Sequence, residues 1–265
     1  MFGQNEIVGR RFFRRTDAVE LLVTSIFYTL QGEGPLAGRP AIFVRLAKCN
    51  LACSFCDTFF DKGTMMDYQQ ILTVAETILP EGIQLKSLAL VITGGEPSLQ
   101  ENVADFIETV RHKFAVVQVE SNGLLYLPLR MGTILVVSPK CAELNGRPNH
   151  YLKPPDHVLH RATCFKFLLT ADPDSPYHTV PDWALLNRGA NVYVSPMNEY
   201  LAYPEKGALH QGELADRAKA EVVSFWEPGL LDLRKVRRNH EYAAQYCLKH
   251  GTRLTLQMQL FASLP

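Results

Sequence analysis

The sequence predicts an α/β fold built on a parallel sheet, and three observations carry that expectation. Short apolar runs such as Leu88-Ala89-Leu90-Val91-Ile92 recur along the chain, as in strands buried on both faces. Helical or long connecting stretches separate them, which is how parallel strands are joined. Nearly every run ends in polar or glycine-rich residues: Thr93-Gly94-Gly95-Glu96-Pro97, Ser121-Asn122-Gly123, Ser138-Pro139-Lys140 and Ser195-Pro196-Met197-Asn198. In barrels and open α/β sheets alike, ligands bind at that end of the strands. A length of 265 residues suits a one-domain barrel.

Taken in order, residues 1–20 are polar, with Arg10, Arg11, Arg14 and Arg15 close together, and read as a solvated N-terminal arm. Residues 21–28 are rich in β-branched and aromatic side chains and form a first strand. It runs into the turn Leu30-Gln31-Gly32-Glu33-Gly34-Pro35. A second strand, 41–46, follows. Helical periodicity over 67–79 begins at an N-cap, Asp67, and stops at Pro80. The strand 88–92 precedes a helix over 101–112, and strands are expected at 115–120, 133–137, 164–169 and 191–194. Residues 145–161 carry prolines at 148, 154 and 155, and His150, His157 and His160 there fit no compact ligand spacing. A polar connection over 199–222 holds a short helix at 209–221. The helix 231–250 has Asp232 near its start and Gly251 at its C-cap, and its Arg234, Lys235, Arg237 and Arg238 form a solvated face. A last strand is expected at 254–257. The chain shows no internal repeat and no second domain: residues 1–20 form an extension, and about 199–250 an insertion before the last strand.

Composition narrows the function classes. The 27 basic and 27 acidic residues cancel, so net charge gives no case for nucleic acid or a membrane surface. No signal peptide is expected, and no stretch nears the roughly 18 apolar residues of a membrane helix. Six cysteines in so long a chain make no disulfide framework, and three in one loop point to a reducing cytoplasm.

Those three cysteines are the most specific feature. Cys49, Cys53 and Cys56 are spaced C-x3-C-x2-C in the stretch after the second strand. Thiolates so close together suit soft metals or an iron–sulfur cluster. Three ligands leave a four-ligand site one short, and a metal centre with an open position does chemistry. Cys141, Cys164 and Cys247 are scattered and read as buried small side chains. Arg45, a charge in an apolar strand just before the loop, has two readings. It either pairs with a nearby carboxylate or grips a substrate carboxylate in a two-pronged hydrogen bond. In Gly94-Gly95-Glu96, the glycines let backbone approach a ligand closely, with an acceptor beside it.

The cysteine spacing, with an aromatic residue before the third cysteine and Gly94-Gly95-Glu96 downstream, resembles the radical S-adenosylmethionine (SAM) superfamily. That resemblance implies a partial, open parallel β/α barrel. It also implies a [4Fe–4S] cluster whose fourth iron binds SAM. The flanks are narrower. Tyr28-Thr29-Leu30-Gln31-Gly32-Glu33-Gly34, then Gly38-x-Pro40-Ala41-Ile42-Phe43-Val44-Arg45-Leu46, then Cys56-Asp57-Thr58 resemble the 7-carboxy-7-deazaguanine synthase family. Ser138-Pro139-Lys140, Ser195-Pro196-Met197 and Arg253-Leu254-x-Leu256-Gln257 to Pro265 also fit it. These enzymes convert 6-carboxy-5,6,7,8-tetrahydropterin to 7-carboxy-7-deazaguanine with loss of ammonia, in 7-deazapurine and queuosine biosynthesis.

The resemblance implies roles residue by residue. Cys49, Cys53 and Cys56 hold the cluster, and Thr58 gives its oxygen to Mg2+. Phe55, Asp57, Gly95, Glu96, Ser138, Pro139, Lys140, Ser195, Pro196, Met197 and Asn198 serve SAM. Leu30, Gln31, Gly32, Arg45, Thr93 and Pro265 serve the pterin, the last through its carboxylate. No side chain is singled out as the chemical catalyst. A flavodoxin-type electron donor and a homodimer are implied as partners. The chain departs from the family at Gln259, where relatives commonly carry histidine. Two alternatives remain at this point: another short radical SAM enzyme such as a glycyl-radical activase, and an iron–sulfur or zinc interaction module closed by a fourth protein ligand.

Overall fold

The apolar runs do form strands, and all but two of the strands join one sheet. The computed structural model describes residues 19–58, 60–188, 191–201 and 224–265. Its strands are β1 (Glu20–Leu30), β2 (Pro40–Leu46), β3 (Thr64–Asp67), β4 (Ala89–Gly94), β5 (Val116–Ser121), β6 (Ile134–Val137), β7 (Cys141–Leu144), β8 (Arg147–Tyr151), β9 (Cys164–Leu169), β10 (Val192–Pro196) and β11 (Arg253–Leu254). Its helices are α1 (Tyr68–Thr77), α2 (Val103–Val110), α3 (Asp156–Arg161), α4 (Asp182–Arg188), α5 (Leu233–His250) and α6 (Met258–Phe261).

A nine-stranded sheet has the order β11-β10-β9-β6-β5-β4-β2-β1-β3. Every neighbouring pair from β2 to β11 is parallel, as the alternation of runs and crossovers predicts. Among the described residues the sheet does not close on itself. This is the open, mostly parallel α/β architecture expected.

Four parts differ from expectation. β1 pairs antiparallel with β2, Phe27 opposite Phe43, because the connection 31–39 is too short for a parallel crossover. β3 adds an antiparallel edge that a four-residue mixed segment gives no period to reveal. Residues 141–151, where no element is expected from the sequence, form the separate hairpin β7–β8. Its turn is Asn145-Gly146, with φ of 53° and 72°. Asn-Gly tolerates the left-handed backbone at both central positions that a tight hairpin turn needs, so that signal was in the sequence. The last strand is also shorter than 254–257: the chain leaves the sheet after Leu254, and 258–261 are helical. The helix expected at 209–221 and the arginines of the N-terminal arm lie outside the described residues.

The caps follow from sequence. The Asp67 side chain accepts from the backbone N–H of Gln70, whose side chain in turn accepts from the Asp67 N–H, a reciprocal capping box. Asp232 caps α5, and Gly251 ends it at φ 67°. α5 buries Val236, Asn239, Ala243, Tyr246 and Cys247, a stripe at helical spacing. Within it the Asn239 carboxamide accepts from Ala171 N at 2.8 Å and donates to Met197 O at 2.8 Å. One buried side chain thereby ties α5 to the ends of β9 and β10.

Gln100 does the same for the other half of the sheet. It is buried; its Oε1 accepts from Leu22 N at 2.8 Å, and its Nε2 donates to Leu22 O at 3.0 Å and Ala47 O at 3.2 Å. It joins β1 to the stretch leading into the cysteines. Gln100→Ala strands three backbone groups in the core, and thermal or denaturant unfolding should show a loss on the order of 3 kcal/mol.

Candidate active site

β2 delivers the chain into the cysteine loop, and β4 delivers Gly94-Gly95-Glu96 against the same loop. Gly95 N donates to Leu46 O at 3.0 Å, and Glu96 N donates to Lys48 O at 2.8 Å. A Cβ on Gly95 would lie 1.9 Å from Lys48 O, and one on Gly94 would lie 2.1 Å from Leu46 O, with Gly94 at φ 131°. The two glycines are therefore needed for the approach of two backbones to each other, and both also line the cavity described below. Lys48 itself takes a left-handed φ of 75°, uncommon for a residue with a side chain, and turns the loop back under β4.

The loop is held from further sides. Asn122 Nδ2 donates to Asn50 Oδ1 at 2.7 Å, and Cys56 N donates to Cys53 O at 3.0 Å. Leu51 N points at Cys49 Sγ, 3.4 Å away. Burial pushes all three thiols up: Cys53 to about 11, Cys56 to about 12, and Cys49 further, with Glu96 adding to burial there. A cation that binds them must therefore displace their protons.

Cys49, Cys53 and Cys56 line one cavity of about 280 Å³. Cys141, Cys164 and Cys247 are buried and do not line it. Among the described residues no group of three or more His, Cys, Asp or Glu is already arranged around a metal position. The donor set does fit a soft-metal cluster: three thiols on one loop, and no fourth cysteine to close the site.

The cavity brings together Leu30, Gln31, Gly32, Arg45, Phe55, Asp57, Thr58, Thr93, Gly95, Ser138, Lys140, Met197, Asn198 and Pro265 with the cysteines. Four expected residues do not line it. Glu96 is buried, and its carboxylate accepts from Ser98 N, Ser98 Oγ, Ser121 Oγ and Asn122 N at 2.6–3.0 Å. Its oxygens are engaged with protein, so Glu96 braces the strand end. Pro139 lies beside the cavity lining, and Ser195 and Pro196 are buried within β10, where Ser195 Oγ donates to Glu33 Oε1 at 2.8 Å.

Arg45 Nη1 donates to Thr58 Oγ1 at 2.6 Å, and its guanidinium stands 5.4 Å over the Phe27 ring. Thr58 in turn donates to Asp57 Oδ1 at 3.2 Å. The C-terminal turn seats on β1. Met258 N donates to Gly32 O at 3.4 Å, and the Gln259 side chain lies where a Gly32 Cβ would be. Gln259 Oε1 is buried and makes no hydrogen bond among the described residues.

The sequence reading missed a charged triad in the wall. Lys166 Nζ donates to Glu33 Oε2 at 2.9 Å and to Glu120 Oε2 at 3.1 Å; Gln31 Nε2 donates to Glu120 Oε1 at 2.8 Å. β1 runs opposite to its neighbours, so the turn after it brings Gln31 and Glu33 in from the end where β2 begins. The available signal was a lone lysine in Cys164-Phe165-Lys166-Phe167-Leu168-Leu169, the same kind of charge in an apolar strand that drew attention to Arg45. Burial alone would raise Glu120 and lower Lys166. Their mutual attraction, with Glu33 and the hydrogen bonds, outweighs it, so Glu120 is held low and Lys166 high. Nearby Lys140 is lowered, chiefly by burial.

An open, mainly parallel α/β sheet with three thiols beside a polar cavity at its strand ends defines a class: an α/β enzyme built around a soft-metal centre. Known proteins narrow it. No protein-family model matches the chain. The 7-carboxy-7-deazaguanine synthase of Rickettsia prowazekii is 30% identical over 265 residues, covering 100% of this chain and 96% of the relative. That of Rhodospirillum rubrum is 34% identical over 236 residues, covering 84% and 93%. The crystal structure of QueE from Escherichia coli superposes with a TM-score of 0.60 at 21% identity, over 90% of this chain and 94% of that one, which supports the fold. The chain belongs to the 7-carboxy-7-deazaguanine synthase family.

Lys166→Met should expose the cost of the triad. Breaking a buried ion cluster from one side destabilises by about 3–5 kcal/mol, measured by chemical unfolding at pH 7. The sign of the acid limb should also change. With Lys166 present, Glu120 sits below its usual 4.5, so its contribution is present above that value and lost as pH falls through the depressed pKa. Without the lysine, burial leads and raises Glu120, so acidification from pH 7 should relieve part of the loss.

Proposed function

We propose that this chain is a radical SAM carbon–nitrogen lyase that converts 6-carboxy-5,6,7,8-tetrahydropterin to 7-carboxy-7-deazaguanine with loss of ammonia, in 7-deazapurine and queuosine biosynthesis. One observation carries the reading. The three thiols, the glycine strand end, Arg45 and Gln31 converge on a single cavity, in a chain whose curated relatives bear that enzyme's name along nearly their whole length.

In this reading Cys49, Cys53 and Cys56 hold a [4Fe–4S] cluster and leave one iron for SAM. When bound, the two supply one-electron chemistry that starts with hydrogen abstraction from the substrate. The chain's own work is placement. Phe55, Asp57, Gly95, Ser138, Lys140, Met197 and Asn198 are SAM-facing, and Leu30, Gln31, Gly32, Thr93 and Pro265 are substrate-facing. The Arg45 guanidinium turns from Thr58 to the substrate carboxylate, where a two-pronged pair adds orientation as well as charge. Holding the reacting carbon near its attacker is a contribution that protein placement makes directly to such a step. The walls around Phe27 and Phe43 exclude stray donors.

Mg2+ is proposed at Thr58. The protein offers it a hydroxyl beside Asp57, so substrate and water oxygens complete its shell, as this hard cation prefers. An external flavodoxin-type donor, a homodimer and a cytoplasmic setting belong to the same reading and rest on the family resemblance. No helix among the described residues is long and apolar enough to cross a membrane.

Anaerobic reconstitution with iron and sulfide, then incubation with SAM, reductant, Mg2+ and the carboxypterin, should yield 5′-deoxyadenosine and 7-carboxy-7-deazaguanine by chromatography. 5′-Deoxyadenosine without the deazaguanine removes the substrate assignment. Chelating divalent ions should lower turnover, and added Mg2+ should restore it; unchanged turnover removes the Thr58 site.

A further inference from the structure

The hairpin β7–β8 lies outside the main sheet and carries no residue that the proposed reaction uses. It nonetheless touches the cysteine loop at its centre. Ser54, between the second and third cysteines, donates its backbone N–H to Glu143 Oε1 at 2.7 Å across 89 residues of chain. The pairing of the hairpin shifts between Ala142 and Glu143, the kind of irregularity that re-aims a side chain. A second contact runs beside the first. The Phe55 ring meets Tyr177 edge-on at 5.2 Å, Tyr177 meets Tyr151 of β8 edge-on at 5.3 Å, and the Tyr177 hydroxyl accepts from Cys141 N at 2.7 Å. Tyr177 is 1% exposed, so this side of the contact is rigid.

We infer that Glu143 is a positioning residue for the cluster: it clamps the cysteine loop through the Ser54 amide and places a fixed negative charge beside Cys53. The inference rests on the proposed function in one respect, that the three thiols hold an iron–sulfur cluster. Two physical effects follow. A carboxylate accepting a backbone N–H makes a charge-assisted bond, about twice as strong as a neutral one, and it orders the loop before iron arrives. A nearby anion also disfavours adding an electron to the cluster, since local charge and hydrogen bonding set such potentials.

The test uses the full chain, reconstituted anaerobically, as wild type, Glu143→Ala and Glu143→Gln. Release of iron to a ferrous chelator and the midpoint potential from an EPR-monitored titration are read, neither of which needs turnover. Outer-sphere partners of metal ligands typically contribute 10–100-fold to metal retention, so Glu143→Ala should release iron about 10-fold faster or more. Glu143→Gln keeps an acceptor for Ser54 and should recover most of that loss, while its potential moves upward because the charge is gone. Wild-type release from Glu143→Ala, release from Glu143→Gln as fast as from Glu143→Ala, or an unmoved potential in Glu143→Gln overturns the inference. A wild-type chain that takes up no iron overturns the cluster assignment itself, and this inference with it.

Discussion

The contact on which the rest of the structure depends is between two stretches of backbone. Gly94 and Gly95 at the end of β4 lie directly against Leu46 and Lys48 at the end of β2, with Cβ atoms excluded by distances near 2 Å. Neighbouring parallel strands diverge once their ladder ends, because nothing pairs the last amides. Here Gly95 N and Glu96 N continue bonding into the cysteine loop, so the loop inherits the rigidity of the sheet. Glu96 then caps the arrangement from below, with its carboxylate saturated by Ser98, Ser121 and Asn122. A site on a loop is as precise as the elements that brace it, and this loop is braced by β4, β5 and the β7–β8 hairpin.

The cavity wall solves a second problem. A parallel sheet buried on both faces is normally apolar, yet here the side that lines the cavity carries Glu120 and Lys166. Neither is tolerable alone in so buried a place. With Glu120 on β5, Lys166 on β9 and Glu33 brought in from the antiparallel β1 end, the two carboxylates share the one ammonium of Lys166 and leave polar atoms and a net negative charge facing the cavity. The short connection that forces β1 to run backwards is therefore what supplies the third charge.

Much of this was legible in advance. Apolar runs with crossovers gave the parallel strands, the Asp67 and Asp232 caps gave the starts of α1 and α5, and the cysteine spacing gave the centre. Glycine-rich strand ends pointed to the correct end of the sheet. Other features left no local trace. Lys166 looks like any charge in a strand until Glu33 and Glu120, both remote in sequence, close around it. The hairpin was signalled by Asn145-Gly146, but Pro148 within β8 lacks the N–H of a regular strand and masks its pattern.

The sequence by itself determined the chemistry available: three soft ligands on one loop, a guanidinium before them, and strands that must lie parallel because their connections are long. Those are local facts, set by residue type, spacing and chain length. Only the tertiary structure decided which groups are engaged with protein and which face the cavity. Glu96, Ser195 and Pro196 look like ligand contacts in the chain; in the fold they are buried outside the cavity lining, Glu96 and Ser195 bonded to protein, while Glu33, Glu120 and Lys166 look incidental and form part of the cavity wall. The reason is physical: a polar group's role depends on whether folding has already satisfied it, and its partners lie tens of residues away.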